Sequence, residues 1–470
     1  MDTAIPVSVR KPRKETKFGN LVRKFITTDF YFILVTAIVT VAWVLKSALI
    51  GFVGLISVSC FALIFADDIT PLTVNIFAAF LMIYDNEVST FLGMWPTFIP
   101  LGICLIIFVV RNVGRRKFRL GRMFFPQLAV TIALLIGGLG TISKENYLRA
   151  LPTALVLGVG VLAVYLLYAN FGKRDENTDY GLMVAKMLTY LGLAVCVELV
   201  FCIIRSGLAP ADWNKSYWDT GWGNRNNIAT YLLFTAPMCW YLATRYKRTG
   251  WLYIFFGVVQ YACLIMTFSR GGILCGAIGG VFALVFLIWK SPSKKATLIS
   301  IGVCVVLLAV AGVILRDKVK DMIDSLISRG TELSGRDLLY IEAWDVFNKH
   351  PYLGAGLGYM GDGPCPITTM QMYLFHSTFY QICACMGVVG IVAYAYYYGA
   401  RLFFLFKNIK HKFNLFILVA WIGFEGYSMI DTGTFIPFPN MILVIVLTYI
   451  LEILPSDDRF EGAIQRTKKA

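Results

Sequence analysis

The sequence predicts an all-α, polytopic integral membrane protein of about fourteen transmembrane helices with one large helical extracytoplasmic loop. Three observations predict it. Hydrophobic residues fill 58% of the 470 positions and charged residues only 15%, against about 25% charge in an ordinary soluble domain; the mean hydropathy is +0.69. Apolar stretches recur between polar punctuation at about 17–25 residues, the length a helix needs to cross roughly 30 Å of hydrocarbon. Strands of alternating polar and apolar residues are absent, which excludes a transmembrane β-barrel.

Taken in order, residues 1–28 form a basic tail with Arg10, Lys11, Arg13, Lys14, Lys17, Arg23 and Lys24. It is too long for the charged start of a signal peptide and no small-residue cleavage site follows, so it is expected to stay attached and cytoplasmic. A transmembrane bundle is expected over 29–315, with apolar spans near 30–46, 48–66, 69–84, 91–110, 124–142, 147–171, 180–204, 227–244, 250–268, 271–289 and 296–315. An extracytoplasmic catalytic loop follows at 316–376, then C-terminal spans near 377–406, 413–430 and 436–454 and a cytoplasmic tail at 455–470. No repeat of 20–50 residues and no low-complexity linker divides the chain.

Charge provides an independent check, because cytoplasmic connections hold the excess of Lys and Arg. Starting inside, the alternate connections 111–122, 172–179, 245–249, 290–295 and 407–412 are all basic. About 28 Lys and Arg fall on that side and about 13 on the other. The net charge of +15 therefore reports orientation, and nucleic acid is not an expected partner. The same alternation puts the 205–225 connection, the Ser269-Arg270 turn and the 316–376 loop together on the outer face.

Within the loop, Arg316 to Ser328 reads as an amphipathic helix with Val319, Met322, Ile323, Leu326 and Ile327 on one side. Ser334 and Asp337 have capping-box spacing, and Leu339, Tyr340, Ala343, Trp344 and Phe347 give a helical stripe that ends at Pro351. Arg336 then sits in a first helical turn, where a cation opposes the dipole unless Asp337 or a bound anion compensates it. Gly354, Gly356 and Gly358 lack the strand before and helix after that a nucleotide loop needs, so a mobile or tightly turned connection is expected. His376 stands at the foot of the next membrane helix, where the positive dipole end favours a neutral ring able to accept a proton.

Arg270 joins two apolar spans with almost no polar spacer. Insertion of an arginine near hydrocarbon costs about 2.5–3.5 kcal/mol, and such residues usually face a polar cavity. The preceding outer connection mixes Trp213, Trp218 and Trp222 with Asp212, Asp219, Arg225, Asn226 and Asn227, a composition that suits either an interfacial aromatic belt or sugar rings. Glu198, Glu425 and Asp431 lie near outer helix ends, where helix-to-helix hydrogen bonding is their simplest use. The eleven cysteines lie almost wholly in apolar spans and the three histidines are scattered, so neither a metal nor a cofactor is expected.

The run SGRDLLYIEAWDVFNKHPYLGAGLGY, followed by HSTFYQI and GVVGIVAYAYYY, resembles the O-antigen ligase and O-antigen polymerase superfamily. That family's loop has Arg, Trp and then His-Pro-x-x-Gly-x-Gly, with a later His-Asn. FSRGG and GWGNRNNIATYLLFTAP match two more of its stretches, and the resemblance spans roughly 220–400; Ser377 replaces the family's Asn.

The resemblance implies an inverting, metal-independent glycosyltransferase in a bacterial cytoplasmic (inner) membrane, with its active site on the extracytoplasmic face. By position, Arg270 and Arg336 would hold the diphosphate of an undecaprenyl-diphosphate-linked oligosaccharide donor, and His376 would activate the acceptor hydroxyl or help hold the leaving group. Substrate contacts are expected from Arg225, Asn226, Tyr340, Trp344 and Glu425. The implied partners are that donor, a glycan or lipid-linked acceptor, the lipid bilayer and other polysaccharide-assembly proteins. A polysaccharide polymerase is the preferred expectation. Ligase-type transfer of a finished glycan to a different acceptor is the near alternative, and a lipid-linked oligosaccharide flippase or transporter the distant one.

Overall fold

The computed structural model describes residues 16–82, 93–113, 118–172, 177–216, 218–328, 335–361, 363, 372–455, 462 and 464. Among the described residues the chain is helical, and its only strand-like pairings are two isolated bridges, Thr220 with Gly223 and Tyr246 with Ile464. The helices are α1 (Lys17–Phe25), α2 (Asp29–Val44), α3 (Ala48–Phe65), α4 (Thr70–Phe80), α5 (Phe98–Val113), α6 (Phe124–Ile136), α7 (Lys144–Phe171), α8 (Tyr180–Ser206) and α9 (Arg225–Arg245). They continue as α10 (Gly250–Met266), α11 (Arg270–Lys290), α12 (Lys294–Ile314), α13 (Arg316–Ser328), α14 (Arg336–Lys349), α15 (Thr378–Lys407), α16 (Lys412–Ser428) and α17 (Pro439–Ile453).

This is the all-α architecture of a polytopic membrane protein, and each apolar stretch expected from the sequence contains one of these helices. Among the described residues, 7 helices are long and apolar enough to cross a membrane, or 8 if α1 and α2, bent by 66°, count as one span. Helices α4, α6, α10 and α17 are apolar but shorter. Helix α9 is buried at every residue from Ile228 to Arg245 and packs against α8, α10, α11 and α16. A helix sheathed in protein meets no lipid, so it tolerates Thr230, Thr235 and Thr244 at buried positions. Short α17, buried from Pro439 to Leu451, is tied to it where Asn440 Nδ2 donates to Thr230 Oγ1 at 3.1 Å. Peripheral α12 is the opposite case: it buries only Thr297 and Cys304 and turns Leu298, Val303, Val306, Val310 and Val313 outward.

The glycine run after Pro351 is tightly turned, and it is wedged into a break in α15. Gly387, at φ 58°, interrupts that helix, which strands backbone groups on both sides of the break. The loop satisfies them. Ala355 N–H and Gly356 N–H donate to the carbonyls of Ala384 (2.7 Å) and Cys385 (2.9 Å), while Val388 N–H and Val389 N–H donate to the carbonyls of Pro351 (2.8 Å) and Tyr352 (3.2 Å). Unmet backbone groups inside an apolar helix cost several kcal/mol each. Glycine is required at the contact, since a Cβ on Gly354 would lie 2.4 Å from Cys385 C and Met386 N.

Helix α13 forms where the sequence suggests and packs on the Pro210–Lys215 turn, with Val319, Met322 and Leu326 half-buried. Ser334 of the expected capping box lies outside the described residues; Gly335, with φ 77°, occupies the position before α14.

Candidate functional site

Four helices begin at one place. Helices α9, α11 and α14 open on Arg225, Arg270 and Arg336, and α15 opens immediately after His376 and Ser377. All four starts reach the turn Ile430–Thr432 that follows α16. From α9, Asn226 Nδ2 donates to Asp431 Oδ2 at 3.2 Å. From α14, Arg336 donates through Nη1 to the Ile430 carbonyl and through Nη2 to Asp431 Oδ2 at 3.2 Å. Ahead of α15, His376 Nδ1 lies 3.1 Å from Asp431 Oδ1, and Thr378 N–H donates to the Asp431 carbonyl at 3.2 Å. Helix α11 approaches so closely that a Cβ on Gly271 would sit 2.3 Å from Ile430 Cδ1. Tyr427, at the end of α16, donates its hydroxyl to Asp431 Oδ2 at 3.0 Å, and Thr432 N–H donates to Oδ1 at 2.8 Å.

Local chemistry explains how the pieces are presented. Asn224 caps α9 by accepting from Asn226 N–H and Asn227 N–H at 3.0 and 3.3 Å. Tyr340, one turn into α14, donates its hydroxyl to the His376 carbonyl at 3.1 Å, and its ring stacks on Tyr380 with centroids 4.6 Å apart. Two non-glycine residues with left-handed backbone flank the chemistry: His376 at φ 49° and Phe268, just before Ser269-Arg270, at φ 56°. Such a conformation costs roughly 1–2 kcal/mol and persists only where the surroundings enforce it.

Asp431 is only 8% exposed. Burial pushes its carboxyl up, but the His376 hydrogen bond and the Arg336 charge outweigh burial and hold it below the usual carboxylate range. An ionised carboxylate only accepts. Nδ1 must therefore be the donor to Oδ1, and Nε2 is the nitrogen left facing outward from a side chain that is 35% exposed. Around Asp431 stand helix N-termini, whose dipoles attract negative charge, together with the Arg336 guanidinium fork. The arrangement suits an anion with several oxygens placed beside a proton acceptor.

Of the residues expected from the sequence, Arg336, His376 and Asn226 converge on Asp431, and Tyr340 touches the His376 backbone. Arg270 is half-buried at the start of α11, one residue from the Gly271–Ile430 contact. Arg225 braces the loop before α9, its Nη1 donating to the Ser216 carbonyl at 3.3 Å. Trp344 is 47% exposed and stacks on Phe347 at 5.3 Å. The structure gives Glu425 a partner within the bundle: Arg401 Nη1 lies 2.8 Å from its Oε1, and the guanidinium stands 4.4 Å over Trp421. The residue that sequence reasoning placed too low is Asp431, read only as a helix-end acid. Its one signal was a carboxylate emerging straight from an apolar span.

Residues 252–395 match the family model described as O-Antigen ligase. The matched stretch includes Arg270, Arg336 and His376 and stops before Asp431. No curated protein matches the chain. The match covers 144 of the 470 residues and is a likeness to that family over this stretch.

Proposed function

We propose that the protein is a polysaccharide polymerase of the O-antigen, capsule or exopolysaccharide type, moving a glycan from an undecaprenyl-diphosphate donor onto a lipid-linked acceptor sugar with inversion. One observation supports this reading above others: Arg336 and His376 contact opposite oxygens of one carboxylate, where four helix starts meet. In the proposed reaction an acceptor hydroxyl attacks the anomeric carbon from the face opposite the diphosphate. The new C–O bond forms as the bond to the leaving phosphate oxygen breaks, and the hydroxyl proton passes to His376 Nε2. Negative charge grows on the diphosphate, where Arg336, Arg270 and the helix-start dipoles stabilise it. Asp431 holds the imidazole by Nδ1 and balances the charge that the ring gains. Taking place on the extracytoplasmic face of a bacterial inner membrane, the transfer would need no nucleotide.

Ligase-type transfer uses the same chemistry and differs only in the acceptor. Purified protein given a synthetic undecaprenyl-diphosphate-linked repeat is expected to produce a ladder of lengths. A single addition to an added lipid core or protein, without a ladder, would assign a ligase; no consumption of donor in detergent, where there is no second compartment, would sink both in favour of transport. Turnover should also be unchanged within about twofold when a chelator is present, because guanidinium groups take the part a divalent ion plays elsewhere. Loss in chelator, restored by magnesium or manganese, would refute that expectation.

A further inference from the structure

We infer that Gln381 is a positioning residue for His376, clamping the left-handed turn from which the imidazole is presented. The inference rests on the reading of His376 as the proton acceptor. Gln381 lies in the first turn of α15 and is 0% exposed. Its side chain folds back over the helix start and uses both ends of its amide. Oε1 accepts from Phe375 N–H at 3.1 Å and Nε2 donates to the Tyr373 carbonyl at 2.8 Å. Nε2 also lies 3.2 Å from Cys385 Sγ, and Gln381 N–H donates to the Ser377 carbonyl at 2.8 Å. One amide therefore fixes the backbone on both sides of Leu374 and directly ahead of His376.

The same segment is tied to α14, the helix that begins with Arg336. Tyr373 donates its hydroxyl to Glu342 Oε2 at 2.6 Å, Tyr359 donates to Glu342 Oε1 at 3.0 Å, and Tyr340 holds the His376 carbonyl. His376 at φ 49° adopts a backbone conformation uncommon for any residue but glycine. It needs enforcement from both neighbouring helices, with α15 acting through Gln381 and α14 through Tyr340 and Glu342. A hydrocarbon at 381 could make neither hydrogen bond. An ionised glutamate would keep the acceptor and lose the donor.

The test measures full-length Gln381→Leu and Gln381→Glu in detergent with a lipid-linked repeat. Misplacing a catalytic group by about 1 Å costs on the order of a hundredfold. The Leu variant is therefore expected to lower kcat by about 10–100-fold with KM for donor within about twofold, and the Glu variant to fall between it and the parent. Amide hydrogen exchange should speed up locally over 373–377, with other peptides unchanged. A folded Leu variant with kcat within twofold of the parent, or unchanged exchange at 373–377, overturns the clamp. Where Leu does not fold, the near-isosteric Glu variant decides on the same two readouts. Exchange reports the clamp even without turnover, so a failure of the transferase reading remains distinguishable from a failure of this one.

Discussion

Arg336→Ala is expected to lower glycan transfer by about 10²–10³-fold while the protein still folds and inserts, the loss found when one preorganised oxyanion donor is removed. In the resting structure Arg336 donates to the Ile430 carbonyl and pairs with Asp431, both side chains mostly buried; losing one partner of such a pair destabilises the fold, but Asp431 keeps its hydrogen bonds from Asn226, Tyr427 and Thr432 N–H. A donor aimed at developing phosphate charge is worth about 2.7–4 kcal/mol in the transition state. Arg336→Lys should recover only a small part, because an ammonium is a point charge and cannot form the bidentate fork. Arg270→Ala is expected to act in the same direction. Measured by initial rates at saturating acceptor, normal turnover in the folded Arg336→Ala protein would refute the anion site.

Replacement of His376 should remove the proton acceptor and lower kcat by about 10²–10⁴-fold, with donor binding retained. The choice of variant matters here. At φ 49° alanine would keep the roughly 1–2 kcal/mol cost of left-handed backbone, whereas asparagine tolerates it. His376→Asn therefore isolates the lost base from a distorted turn. If His376→Asn turns over like the parent while remaining folded, the imidazole is not the base.

The positions that the sequence made legible share one property: their evidence is local. Arg336 and His376 stood out through a motif and a helix boundary, and Arg270 because a charge between two apolar spans with little spacer needs a reason. Gln381 gave no such signal, being one polar residue in the first turn of an apolar helix. Glu425 and Asp431 look alike in one dimension, both acids near the end of the 413–430 span. Packing separated them. Glu425 meets Arg401 inside the bundle, whereas Asp431, past the helix end, meets Arg336, His376 and Asn226.

By itself, then, the sequence determined the solvent, the helical class and the presence of a loop with arginines and a histidine, because hydropathy, charge bias and helix-start chemistry act over one or two turns. Tertiary structure decided which acid joins them and that four helix starts share one turn. Asn226, Arg336 and His376 stand 205, 95 and 55 residues from Asp431, and contacts over such separations form only through the packing of helices whose local sequences do not encode one another.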